Sequence, residues 1–123
     1  MTKKLSGLIM FPMLLLICAI TLTACGGAAD KLTKENFEKI NSTMDYMAVE
    51  QILGKPTHDL RSDGWGRISW YVNTAKGKTN EILSAEIDFA PDGKVSRVYA
   101  IKDSVPKGGG MATELWRVNY SAG

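Results

Sequence analysis

Glu81-Ile82-Leu83-Ser84-Ala85-Glu86-Ile87-Asp88-Phe89, followed by Ala90-Pro91-Asp92-Gly93-Lys94, is the stretch that decides the fold class. Apolar side chains at 83, 85, 87 and 89 alternate with Ser84, Glu86 and Asp88, the period of two of a strand with one buried and one wet face. Pro91-Asp92-Gly93 reads as a tight hairpin turn, with Gly93 free to take a positive φ. Lys94 to Ile101 then returns as an antiparallel neighbour. Its inward face is ambiguous: Val95, Tyr99 and Ile101 compete with Val98 and Ala100, and a bulge at Gly93 would decide between them. Upstream, Arg67 to Asn73 alternates Ile68, Trp70 and Val72 against Arg67, Ser69 and Tyr71, which predicts a further strand. Thr74 to Asn80, holding Lys76-Gly77-Lys78, reads as a solvated connection between the two.

Further towards the N-terminus the period changes to that of helices. Thr33 is a good N-cap, Glu35 suits the positive end of a helix, and Phe37 and Ile40 form an apolar stripe. Asn41-Ser42-Thr43 breaks this helix. Asp45 caps a second one, with Met44 placed as a hydrophobic staple and Val49, Ile52 and Leu53 as the buried face. Gly54 and Pro56 supply the stop. The plain reading of this unit is a structural helix. Thr57 to Gly66 is a polar loop. Pro106 and Gly108-Gly109-Gly110 end the compact part, and Met111 to Gly123 fits a fourth strand or a loosely docked tail better than a helix. The expected fold is α+β: two short N-terminal helices packed on a three-stranded antiparallel sheet (ααβββ), with an extra C-terminal strand or tail.

The start of the chain carries a different kind of signal. Lys3 and Lys4 precede an apolar run from Leu8 to Ile20, and Leu22-Thr23-Ala24-Cys25 has the pattern of a bacterial lipobox. A basic n-region, a short apolar region and small residues before the cut are the parts of a secretory signal. A membrane-spanning helix needs about 20 apolar residues, more than this run supplies. The expected processing removes residues 1–24 and places acyl chains on Cys25. Two or three chains hold a protein at a bilayer, whereas one binds only marginally. Residues 25–32 then form a lipidated tether. Gly26 rather than Asp after the cysteine fits outer-membrane sorting, on the periplasmic side, where the host has two membranes.

The formal charge of +2 resides in the leader, so the processed chain is neutral. Neutrality argues against nucleic acid as a partner, because phosphate binding needs clustered Lys and Arg. Cys18 leaves with the leader and Cys25 is the lipid attachment point, so no thiol remains for a disulfide or a metal. His58 is the only histidine, and beside Asp59 in a loop it reads as a solvated turn residue. Glu86 and Asp88 share a strand face and read as its wet side. Gly108 to Gly110 lacks the spacing of a phosphate loop. The expectation is therefore no enzyme, no metal and no cofactor. Surface aromatics are the better candidates: Trp65 in its loop, Arg67 beside it, and Tyr71, which should face away from a buried Trp70. Trp, Tyr and Arg dominate binding hot spots. For Trp65 the competing reading is a lid folded back on the core.

Leu32-Thr33 with Asn36, Met44-Asp45 followed by Val49, Ile52-Leu53-Gly54-Lys55-Pro56, Trp70-Tyr71-Val72, and Phe89 with Asp92-Gly93-Lys94-Val95-Ser96-Arg97 carry a likeness. Thr33 to Ile101 resembles the SmpA/OmlA/BamE family of small outer-membrane lipoproteins, whose fold is shared by the β-lactamase inhibitor proteins. Thr43 departs from it, standing where the family commonly has Gly, and residues after Pro106 have no counterpart. The resemblance implies a BamE-like α+β domain over residues 33–105, with 106–123 as a glycine-linked C-terminal tail. It also implies a lipoprotein that binds envelope proteins as an accessory factor of outer-membrane β-barrel assembly. An inhibitor or ligand-sensing lipoprotein on the same scaffold is the alternative, since fold does not fix function.

Mass spectrometry of the processed protein is expected to find an N-terminal Cys25 carrying acyl chains. The Cys25→Ser variant is expected to leave the membrane fraction entirely or accumulate as uncleaved precursor. An unmodified sulfur at position 25 would remove the anchor.

Overall fold

The computed structural model describes residues 28–122. The leader, the lipobox and Cys25 lie outside the described residues. Lys31 to Gly123 forms one compact unit. Its elements are helix α1 (Lys34–Glu38), helix α2 (Tyr46–Leu53), and strands β1 (His58–Asp59), β2 (Arg67–Lys76), β3 (Thr79–Phe89), β4 (Val95–Pro106) and β5 (Thr113–Ser121). A short 3-10 turn, Ala28–Lys31, precedes α1. The strands form one antiparallel sheet in the order β1-β2-β3-β4-β5. No described helix is long and apolar enough to cross a membrane.

The expected arrangement of two helices and three strands is therefore wrong. The molecule is mostly a five-stranded sheet, with two short helices against one face. Two segments account for the difference. His58 and Asp59, inside the supposed polar loop, pair with Ser69 and Ile68 on the edge of β2. The segment expected as an extra strand or a docked tail is a full strand, β5, running along β4 with Ala100 opposite Val118 and Lys102 opposite Trp116. The three glycines form the turn of this hairpin. The paired segments also outrun their expected limits, because β2 continues to Lys76 and β4 to Pro106. Backbone hydrogen bonds extend the ladder there although both sheet faces are wet.

Both helices start where their caps place them. Thr33 Oγ1 accepts from Asn36 N at 3.2 Å, and Asp45 Oδ1 accepts from Ala48 N at 3.0 Å. Gly54, at φ 81°, closes α2. Each helix is too short to persist alone and depends on what it buries. Phe37 is fully buried, with the Trp70 ring 6.1 Å away edge-on and the Trp116 ring 6.0 Å away on its other flank. Val49 and Leu53 from α2 join Ile68, Leu83, Ala85, Ile87, Val98 and Ala100 in the same core. Trp70 is core, as its alternation implies, and its indole Nε1 donates to Lys55 O at 3.0 Å, tying the end of α2 to the sheet.

The ambiguity in β4 is resolved by a bulge at Ser96 rather than at Gly93. Asp88 pairs with Arg97 but Phe89 pairs with Val95, so Ser96 is the extra residue. One inserted residue flips every side chain beyond it. Val95 on one side of the bulge and Val98 and Ala100 on the other all point into the core, while Arg97, Tyr99 and Ile101 point outward. Val98 and Ala100 are thus the inward set, and of the competing three only Val95 joins them.

Deleting Ser96 removes the bulge and leaves Val95, Val98 and Ala100 alternating with Arg97 and Tyr99, so cooperative unfolding is expected to survive, whereas inserting one alanine after Arg97 is expected to drive Tyr99 inward and abolish it, as followed by tryptophan fluorescence in urea. Asp45→Ala, which removes only a cap, is expected to cost about 1 kcal/mol in the same measurement.

Candidate functional site

The sheet face opposite the helices carries no covering layer among the described residues. Its side chains come from alternate positions of three central strands, aligned in rows by the register. Arg67, Asp88 and Arg97 form one row, Ser69, Glu86 and Tyr99 the next, and Tyr71, Ser84 and Ile101 the third. The small Ser84 leaves a shallow groove of about 360 Å³ between taller neighbours. Tyr71 and Tyr99 rise from β2 and β4 on either side, Ser69, Glu86 and Arg97 add to the lining, and Trp70 and Ala85 contribute to the floor. Two aromatic walls over a floor of hydroxyls and backbone can grip an apolar group while hydrogen-bonding its polar rim.

The first row is a charge cluster. Arg67 Nε lies 2.6 Å from Asp88 Oδ1, and Arg97 Nε lies 3.0 Å from Asp88 Oδ2. Arg97 Nη2 also reaches Glu86 Oε2 at 3.1 Å, and Arg67 Nη1 stands 3.7 Å from the same oxygen. Partial burial of Asp88 favours its neutral form, but hydrogen bonds and charge from both arginines outweigh this and hold the carboxyl below the usual Asp range. The two acids expected on the wet face are there, but they are clamped. Their chemistry is positional: they fix Arg97 at the mouth of the groove.

The three sequence-derived candidates are only partly brought together. Tyr71 lies on the outer face, 54% exposed, and lines the groove. Arg67 shares that face, yet its guanidinium is committed to Asp88 and Glu86. Trp65 is 73% exposed, which rules out the folded-back lid, but it does not line the groove. Its loop is nevertheless well held. Trp65 N donates to Leu60 O, Leu60 N to Arg67 O at 2.8 Å, and Phe89 N to Gly66 O at 2.7 Å. Gly66 has φ +60°, and a Cβ there would sit 2.9 Å from Phe89 O, so only glycine fits. Arg61 adds a further brace: it grips Asp59 with two hydrogen bonds and stacks 3.3 Å over the Tyr46 ring of α2.

Tyr99 and Arg97 are the groove residues that sequence reasoning missed. The signal was present as Arg97-Tyr99-Ile101 alternating opposite Asp88-Glu86-Ser84, but the bulge hid its phase. His58 is exposed on the edge strand β1. No group of three His, Cys, Asp or Glu residues suited to a metal occurs among the described residues.

A carboxyl with a depressed folded-state pKa stabilises the fold above its unfolded value, and that contribution is lost as pH falls through the folded value. The midpoint of urea unfolding is expected to fall as pH drops below about 4, the ordinary Asp value. Asp88→Asn is expected to flatten that part of the profile while lowering stability at pH 7. An unchanged acid limb in Asp88→Asn would show that the cluster carries no linkage.

Compared with known proteins, the chain matches no family model, no curated protein and no solved structure.

Proposed function

We propose that this chain is a lipid-anchored, non-enzymatic binding protein of the bacterial envelope, held at the membrane through Cys25 and docking another envelope protein on its outer sheet face. The resemblance read in the sequence makes that partner a component of outer-membrane β-barrel assembly, met on the periplasmic side. The observation that carries the reading is the uncovered face itself. One side of the sheet is filled by α1 and α2, while the other presents Tyr71 and Tyr99 around a groove whose charged end is held rigid by the Asp88 cluster. Rigid aromatic anchors with a bound arginine beside them have the make-up of a binding hot spot. The exposed Trp65 ring, on its braced loop, adds a second anchor.

A groove near the lower end of the usual range for ligand pockets, about 300–1,000 Å³, also supports a second reading as a ligand-sensing or inhibitory lipoprotein. In that version the groove takes one small group or one protruding side chain.

A photoreactive residue placed at position 71 or 99 in living cells is expected to crosslink to a barrel-assembly component. The same residue at the exposed Lys55, away from this face, is expected to give none. Tyr71→Ala is expected to weaken capture about tenfold, roughly 1.4 kcal/mol. Crosslinks confined to Lys55, or adducts with soluble cell-wall fragments instead of protein, would overturn the assembly role. The second of these outcomes would favour the ligand-sensing reading.

A further inference from the structure

The two edges of the sheet are treated differently. Along the first half of β2, from Arg67 to Tyr71, the edge is closed: β1 pairs with it, Leu60 N donates to Arg67 O, and Thr57 Oγ1 accepts from Tyr71 N at 3.1 Å. Along β5 no such cover is found among the described residues. The hydrogen bond from Ala122 N to Ser96 O, 2.8 Å long, sets the phase of the β4–β5 ladder. Counting back along the register, Tyr120 and Val118 turn their backbone groups towards β4. Arg117, Asn119 and Ser121 turn theirs to the open edge.

Such an edge invites another strand unless proline, an inward charge or a bulge guards it. From Trp116 to Ser121 there is none of these. From this edge we propose that β5 pairs with the β5 of a second copy, antiparallel about a two-fold axis through Val118, to make one continuous sheet across a dimer.

The register follows from the phase. Because Val118 bonds inward to β4, it must meet the second copy's Val118 as a non-hydrogen-bonded pair. Arg117 then faces Asn119 of the other copy, and each such pair exchanges both of its N–H···O bonds. The side chains agree with this alignment. On the helix-covered face Val118 meets Val118 and Trp116 meets Tyr120, and both aromatics are already packed at the margin of each core. On the outer face Arg117 meets a neutral Asn, so no like charges oppose each other. Shifting the pairing by one step in either direction fails. Centring on Arg117 sets two guanidinium groups against each other, and centring on Asn119 sets Arg117 against Ser121 and loses the Trp–Tyr contact. The arrangement is isologous and closes after two copies, which spares the edge from open-ended growth.

The test uses the processed, acylated full chain extracted in detergent. Light scattering on a sizing column is expected to give a dimer of the protein component. Val118→Cys, a change of little volume, is expected to form a disulfide between copies under mild oxidation, while Leu115→Cys is expected to form none. Asn119→Pro, which deletes an edge N–H without touching the β4 ladder, is expected to reduce the dimer at least tenfold. A monomeric wild-type chain overturns the proposal. So does a dimer that crosslinks at 115 and not at 118, or one indifferent to Asn119→Pro. If Asn119→Pro fails to fold, the pair of cysteine variants still decides the register. None of these outcomes depends on which envelope protein occupies the outer face.

Discussion

Phe37 between Trp70 and Trp116 is the contact on which the rest of the structure depends. It joins three parts of the chain that are far apart in sequence: the first helix, the second strand and the last strand. A five-residue helix has no stability of its own. Without a buried aromatic to anchor, α1 would not form. Without α1, Trp116 would lose its apolar surroundings, and β5 would be held to β4 by backbone bonds alone. Each aromatic contact contributes about 0.5–1.5 kcal/mol beyond simple burial, in a domain with no disulfide to make up a loss. The packed trio does the work that a covalent staple does in disulfide-bonded domains of this size.

The two faces of the sheet have separate tasks, and Ser96 is the point where the chain allots residues between them. Ahead of the bulge, β4 must bury Val95 next to Met44, whose carbonyl accepts from Val95 N at 2.9 Å. Beyond it, the strand must bury Val98 and Ala100 and show Arg97 and Tyr99. Because two residues, Ser96 and Arg97, stand between Val95 and Val98, strict alternation of this segment would bury only one of the two valines. The extra residue lets the hydrophobic core and the outer groove share one strand without compromise.

Much of this was legible in the residues. The caps at Thr33 and Asp45, the stop at Gly54, the Pro91-Asp92-Gly93 hairpin and the opposed faces of Trp70 and Tyr71 all follow from local chemistry, which a sequence displays directly. What stayed hidden is non-local. His58 and Asp59 become a strand only because β2 offers an unpaired edge, and two polar residues announce nothing of that. Met111 to Gly123 fits periods of both two and 3.6 until Phe37 and Val98 give Trp116 and Val118 a face to cover. The groove was found only by half: Tyr71 could be read from its alternation, but Tyr99 could not until the bulge fixed its phase. Arg67 was identified by type, and its engagement with Asp88 appears only in the register.

The strands β2, β3 and β4 run on past the helices, and there the inner face turns polar. Lys102 Nζ sits 3.1 Å from a carboxylate oxygen of Glu81, and Lys76 Nζ lies 4.0 Å from the other. The two hairpin ends are joined by a bond from Lys107 N to Lys78 O at 3.0 Å. That half of the sheet has no apolar backing, so its cohesion comes from the ladder and a few screened charges. Local opening should therefore cost progressively less from the aromatic trio towards the glycine turn. Within this sheet the end backed by aromatics is the firmer one, and the end at the glycine turn is the first to open.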